Sequence, residues 1–79
     1  MAKIFLFEQF FKFGLGKQFL QVYRNNDDQG DIKYDCIIDM TDEMQLVKLD
    51  DGTWWDLNSG YTNLSEIIGQ IIDKNIAEA

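Results

Sequence analysis

The clearest pattern of apolar and polar positions lies near the C-terminal end of the chain. Apolar residues recur there three or four positions apart, as they do along one side of an α-helix: Leu64, Ile67, Ile68, Ile71, Ile72 and Ile76. Asn63 and Glu66 have the spacing of a capping box at its start. Isoleucine has a low helix propensity, so we expect tertiary packing to hold this helix. Gly69, beside the apolar stripe, suggests a close approach to a sheet.

The middle of the chain has the two-residue alternation of β-strands. Apolar residues there alternate with mostly charged ones, as in a strand with one buried face: Ile32, Tyr34, Cys36, Ile38 and Met40. Residues 18–24 before them are rich in strand-forming types, and residues 25–30 favour a turn. The two runs therefore predict a β-hairpin.

A second hairpin is predicted from residues 44–49 and 53–57. Asp51 and Gly52 between them are the preferred pair for a two-residue type I′ turn. This turn would place one apolar set on the face that meets the core: Met44, Leu46, Trp55 and Leu57. It would place a second set on the opposite face, beside Asp56: Val47, Leu49 and Trp54. The second set then needs a cover, either the N-terminal segment or a partner.

The N-terminal residues 3–13 fit two structures. On a helical wheel their apolar side chains share roughly half the circumference, although Phe5 falls on the polar side. Residues 3–7 also fit a strand that is buried on both faces. We favour a helix that ends at residues 14–16, with an extra strand as the alternative. The whole pattern predicts an α+β fold, in which a small antiparallel, meander-like sheet of about four strands packs against a C-terminal amphipathic helix.

Length and composition indicate one domain, spanning residues 1–79. An apolar content of 46% is too high for a disordered acidic segment. Cys36 is the only cysteine, which excludes an intramolecular disulfide and favours a reducing compartment. Glu8 interrupts the apolar run 4–7 before it reaches the length of a signal-peptide core or a membrane span. We therefore expect a cytoplasmic protein that does not associate with membranes.

Candidate chemistry is sparse. The chain has no histidine, the commonest general base and a frequent metal ligand. Cys36 lies at a core-facing position of its predicted strand, as a small buried hydrophobe would. Residues 14–17 lack the spacing of a phosphate-binding loop, and residues 25–36 begin like a calcium loop but end in cysteine instead of glutamate. We predict no catalytic residue, metal or cofactor, and expect a protein that is not an enzyme.

The charge is strongly skewed along the chain. Of a net charge of −7, residues 25–56 contribute −8, because they hold ten carboxylates and two lysines. In an up-and-down sheet, the two predicted hairpin turns lie at the same end. Their acids would form an acidic pole there: Asp27, Asp28, Asp31, Asp50 and Asp51. Such a pole attracts a basic partner and repels nucleic acid and anionic lipid.

These features predict a small acidic protein that binds and regulates or inhibits a basic protein, for example by imitating the charge of nucleic acid. In composition and size the chain is like the small acidic inhibitors of phages, which are viruses, and of other mobile elements. Its partner site would combine the acidic pole with an apolar anchor of Trp54, Val47 and Leu49. Direct nucleic-acid binding is not expected, because lysines are sparse and the alternating Phe19 and Tyr23 are more typical of a core. The alternative is a structural module that forms a homodimer through an apolar sheet face or edge.

Overall fold

The computed structural model describes residues 3–26, 30 and 32–77. Five strands and one helix are formed by these residues: β1 (Lys3–Phe13), β2 (Gly16–Asn26), β3 (Ile32–Ile38), β4 (Asp42–Lys48), β5 (Trp54–Asp56) and α1 (Asn63–Ala77). The strands form one antiparallel sheet in the order β1-β2-β3-β4-β5, so each strand lies beside the next in the sequence. The predicted α+β meander with a C-terminal helix is confirmed.

The N-terminal segment is a strand, so the preferred prediction of a helix was wrong and the alternative of an extra strand is what the structure contains. β1 pairs with β2 along its whole length, up to Phe13 opposite Gly16. Gly14 has a φ of 66° and Leu15 does not have a positive φ, which is the pattern of a type II′ hairpin turn. Gly14 and Gly16 therefore close a hairpin and do not end a helix.

A bulge in β1 explains why its sequence imitates a helix. The pairing with β2 shifts between Phe5 and Phe7. The extra residue lets both Leu6 and Phe7 pack against the core. Two consecutive apolar residues on one face break the strand period and resemble part of a helical stripe.

The core lies between α1 and one face of the sheet, which we call the covered face. Its buried apolar residues come from all elements: Phe11, Leu20, Val22, Cys36, Ile38, Leu46, Trp54, Ile68 and Ile72. The predicted core positions Cys36 and Ile38 are confirmed, whereas Ile32 and Met40 of the same predicted set are 43% and 71% exposed, and Met40 lies in the turn after β3. The apolar stripe of α1 is also confirmed, although Ile76 at its end is 45% exposed. α1 has 15 residues, and the described part of the chain contains no helix long and apolar enough to cross a membrane.

The hairpin of β4 and β5 differs from the prediction by one residue. Lys48 pairs with Trp54 and Val47 with Trp55. A shift of one residue turns every side chain of a strand to the opposite face. Trp54 is consequently in the core at 1% exposure, and Trp55 is 41% exposed on the other face. The predicted positions of both tryptophans were wrong.

The loop between β4 and β5 gives the physical reason for this shift. A type I′ turn needs positive φ at both central residues, but only Gly52 has one here. The Asp51 carboxylate instead accepts hydrogen bonds from the Thr53 amide at 3.0 Å and from the Thr53 hydroxyl at 2.7 Å. The amide of Leu49 donates to the carbonyl of Thr53 at 2.8 Å, so the loop is longer than the predicted turn.

Trp54 joins the sheet to the helix. A Cβ atom added at Gly69 would overlap the Cγ, Cδ1 and Cδ2 atoms of the Trp54 ring. The indole Nε1 donates to Oδ2 of Asp73 at 3.1 Å, and the other oxygen of this carboxylate binds Lys48 Nζ at 2.8 Å. The Ser65 hydroxyl donates to the carbonyl of Trp54 at 2.9 Å. The close approach of helix and sheet that Gly69 predicts is confirmed, and the group that contacts Gly69 is the Trp54 ring.

The N-terminus of α1 is capped one residue earlier than predicted. The Ser65 amide donates to Oγ1 of Thr62 at 2.9 Å, and the Thr62 amide donates to Oγ of Ser65 at 3.0 Å. This is a reciprocal capping box with serine in the third helical position. Glu66, predicted to pair with Asn63, accepts instead from the Gln70 amide group at 2.9 Å.

We expect Gly69→Ala to lower the free energy of unfolding by about 1–3 kcal/mol, because the new methyl group overlaps the Trp54 ring. Helix propensity alone would favour alanine by about 1 kcal/mol. The overlap with the ring therefore determines whether the substitution lowers or raises the free energy of unfolding. Denaturant unfolding followed by circular dichroism measures the change. Gln70→Ala, on the exposed side of the same turn, is the control and should change stability by less than about 0.5 kcal/mol. A Gly69→Ala variant as stable as wild type would contradict the packing.

We expect Met40→Gly to raise the free energy of unfolding by about 0.5–1 kcal/mol. Asp39 and Met40 in the turn between β3 and β4 have φ values of 52° and 64°, in the left-handed region that a methionine side chain disfavours. Met40 is also 71% exposed, so it loses little packing. Urea unfolding measures the effect. Thr41→Gly, where φ is not positive, should lower stability, and a Met40→Gly variant that also loses stability would refute the strain.

Candidate functional site: the open face of the sheet

The sheet face opposite α1, which we call the open face, carries large exposed apolar side chains. No helix lies on this face in the described part of the chain. Four of its apolar residues are between 41% and 59% exposed: Phe5, Phe10, Trp55 and Leu57. Phe5 and Phe10 lie on β1, and Trp55 and Leu57 lie at the opposite edge of the sheet, so the face carries two apolar clusters. Exposed apolar patches on a small protein commonly mark an interaction surface. The open face is therefore the candidate site.

Aromatic pairs occupy the β1–β2 side of the open face. Phe5 packs against Tyr23 with ring centroids 5.3 Å apart, and Phe10 packs against Phe19 at 5.0 Å. The prediction that Phe19 and Tyr23 are core residues is therefore wrong. Both alternating sets of β2 are apolar, and the aliphatic set, which is fully buried, forms the core instead: Leu20 and Val22.

Lysine side chains lie over these rings. Lys17 Nζ is 4.7 Å from the centroid of Phe10, and Lys3 Nζ is 5.3 Å from that of Tyr23. Such cation–π contacts are worth about 0.5–1 kcal/mol at exposed sites. The lysines cover part of the aromatic surface, so these rings are less available to a partner than their number suggests.

An ion pair between the exposed Lys3 and the buried Asp35 lies at the centre of the open face. Asp35 on β3 is 7% exposed, although it lies on the face opposite the core. Its Oδ2 binds Lys3 Nζ at 3.1 Å, and its Oδ1 accepts from the Gln45 amide group at 2.9 Å. Lys3 reaches across β2 to make this contact, so it ties the edge strand to the middle of the sheet.

The apolar surface at the β4–β5 side replaces the predicted anchor. Val47 pairs across the strands with Trp55, and Leu57 follows opposite Gln45, whose carbonyl accepts from the Leu57 amide at 3.0 Å. We call Val47, Trp55 and Leu57 the Trp55 patch. Of the predicted anchor residues, Val47 belongs to this patch, Leu49 is 40% exposed in the adjoining loop, and Trp54 is in the core.

The predicted acidic pole is described only in part. Three of its residues lie outside the described residues: Asp27, Asp28 and Asp31. The pair Asn26–Ile32, which flanks that segment, lies at the sheet end that also carries the β4–β5 loop. Asp50 and Asp51 in this loop are exposed. Hydrogen bonds from the Thr53 hydroxyl and amide lower the pKa of Asp51, so it is ionised at neutral pH.

The described residues include no reactive thiol and no metal-binding cluster. Burial raises the pKa of Cys36 to about 12, with smaller contributions from the charges of Asp35 and Asp56. Cys36 is fully buried and remains a thiol at neutral pH, which makes it a poor nucleophile. The described residues contain no group of three histidine, cysteine or acidic side chains that could hold a metal ion.

Comparisons with protein-family models, with curated proteins and with solved structures found no match to this chain. Its function is therefore inferred from the geometry of the open face and from the charge distribution.

Reasoning from the sequence missed the exposed residues Phe5, Phe10 and Trp55. A signal was available for Phe10 but not for Phe5, because the bulge between Phe5 and Phe7 moves Phe5 from opposite Arg24 to opposite Tyr23. Gly14-Leu15 joins two apolar runs of similar length, and Gly-X is a preferred pair for a two-residue hairpin turn. Pairing outward from that turn places Phe10 opposite Phe19, as observed. For Trp55 the adjacent pair of tryptophans guaranteed that one would face outward, but not which one.

We expect Trp55→Phe to remove most of the acrylamide-accessible fluorescence of the protein and to shift its emission to shorter wavelength, because the remaining Trp54 is buried. Stern–Volmer quenching measures the accessibility. The matched variant Trp54→Phe, checked for folding by circular dichroism, should leave the accessible emission in place. Equal quenching of the two single-tryptophan variants in the folded state would disprove the assignment of faces.

Proposed function

We propose that this protein is a non-catalytic protein-binding module that docks a basic partner protein on the Trp55 patch. The observation that carries the proposal is the exposed Trp55, held on the open face beside Val47 and next to the acidic β4–β5 loop. A partner bound there would have its basic surface covered. The module would then regulate or inhibit that partner, with imitation of nucleic-acid charge as one form of inhibition.

The Trp55 patch has the anatomy of an interaction hot spot. Tryptophan is enriched among the residues that contribute most to binding, and such residues are usually surrounded by a polar rim. Trp55 is also held in position before binding, because its strand pairs with β4 and its ring lies beside Gly60, where an added Cβ atom would be 3.5 Å from the ring. A fixed side chain loses little conformational entropy when a partner docks.

Charge favours a basic partner over other macromolecules. The net charge is −7. Two exposed carboxylates lie beside the Trp55 patch: Asp50 in the β4–β5 loop and Glu43 on β4. Residues 27–31, between β2 and β3, contain three further aspartates. This field accelerates the approach of a basic surface and opposes nucleic acid and anionic lipid.

The chemistry of the chain supports a binding role. The chain contains no histidine, and its one cysteine is buried and protonated. General acid–base catalysis and thiolate catalysis would each require a group that is poised near neutral pH.

The test is capture of proteins from native lysate on the immobilised wild-type chain, followed by identification and purification of a captured protein and calorimetric titration. We expect a partner of high isoelectric point whose affinity falls as salt is raised. Trp55→Ala should weaken its binding by about tenfold or more.

Met40→Ala is the matched control for an exposed apolar side chain, because Met40 lies in the β3–β4 turn at the other end of the sheet. It should bind the partner as wild type does. An acidic partner, equal binding by Trp55→Ala, or tight binding of single-stranded oligonucleotides to the open face would overturn the proposal.

A further inference from the structure

The two edges of the sheet differ in length and in protection. β5 forms one edge with three residues, whereas β1 forms the other with 11 residues and pairs only with β2 among the described strands. A long apolar edge strand presents a row of unpaired backbone donors and acceptors, which natural proteins usually shorten, interrupt or cover. We propose that β1 pairs with β1 of a second copy of this chain, antiparallel and about a two-fold axis at Phe10.

The hydrogen bonds of Phe19 show which backbone groups of β1 face the free edge. The Phe19 amide donates to Oδ1 of Asp39 at 2.9 Å, and its carbonyl accepts from the Asp39 amide at 2.8 Å. Both groups of Phe19 therefore point toward β3 and away from Phe10, which lies opposite Phe19 on β1. In an antiparallel ladder the residue opposite such a residue also points away. Phe10 thus presents its amide and carbonyl at the edge.

Backbone direction alternates along a strand, so Glu8 and Lys12, two residues from Phe10, also present their amide and carbonyl groups at the edge. An antiparallel pairing centred on Phe10 would match the outward groups of residues 8, 10 and 12 in both copies and form about six hydrogen bonds. It would join the two sheets into one continuous sheet. The axis would bring the two Phe10 side chains together, each of which is 59% exposed in the single chain.

The side chains of β1 are self-complementary in this register. Glu8 and Lys12 are both exposed on the open face, two residues to either side of Phe10. The two-fold axis places Glu8 of each copy opposite Lys12 of the other, and opposite charges across neighbouring strands are stabilising. A pairing centred on Glu8 or on Lys12 would instead place like charges together. The register centred on Phe10 is therefore the one that charge selects.

The distribution of charge makes a second copy a suitable occupant in spite of the net charge of −7. Residues 3–26, which contain β1 and β2, carry four basic residues and one acid. Five exposed or buried acids lie on β4, on β5 or in the loop between them, at the side of the sheet away from β1: Asp42, Glu43, Asp50, Asp51 and Asp56. Pairing at β1 keeps these acidic regions of the two copies apart. It also leaves both Trp55 patches accessible, so the inference does not depend on the proposed partner.

The test uses two single charge reversals, Glu8→Lys and Lys12→Glu, with oligomeric state measured by sedimentation equilibrium and folding checked by circular dichroism. Each variant alone places like charges opposite each other twice, so its dimer dissociation constant should rise by about tenfold or more. Mixed in equal amounts, the two variants should form a heterodimer of about wild-type affinity, because a chain with two lysines then faces a chain with two glutamates.

The two reversals change the net charge in opposite directions, so an effect of overall charge cannot produce the same loss in both. Glu43→Lys, on β4 of the same face, is the control and should not weaken the dimer. A wild-type chain that is monomeric at about 100 µM would overturn the proposal. So would a mixture of the two variants that fails to restore association.

Discussion

The contact between Trp54 and Gly69 is the constraint on which the rest of the structure depends. The indole ring occupies the space where any other residue of α1 would carry a Cβ atom, so the helix can approach the sheet only at a glycine. The same ring is held by Asp73, which also binds Lys48 on the neighbouring strand. Because Trp54 must face the helix, the register of β4 and β5 is determined, and Trp55 must face outward.

The division of the sheet into two faces follows from that contact. The covered face contains the aliphatic core, and the open face contains the aromatic pairs, the Asp35 ion pair and the Trp55 patch. The two proposed interactions lie on opposite sides of the sheet, a partner at β4–β5 and a second copy at β1. Charge is separated in the same direction, since basic residues predominate on β1 and β2 and acids predominate after them.

Much of this fold can be predicted from periodicity, and the failures have specific physical causes. Three features were predictable because each pattern fits only one structure. They are the apolar stripe of α1, the buried face of β3 and the contact of Gly69 with the sheet. The β4–β5 register was not, because Asp51 bonds to Thr53 through its side chain instead of adopting a positive φ. The predicted anchor changed from Trp54 to Trp55 through that one-residue shift. The strand β1 was mistaken for a helix because its bulge places consecutive apolar residues on one face.

The most direct test of this account is a nuclear Overhauser measurement on the labelled chain. If Trp54 packs on the helix, the α protons of Gly69 give strong cross-peaks to the Trp54 ring, and ring currents shift them upfield of the usual glycine range. Cross-peaks from Gly69 to the Trp55 ring, with Trp54 exposed to solvent, would contradict the register and the assignment of both faces.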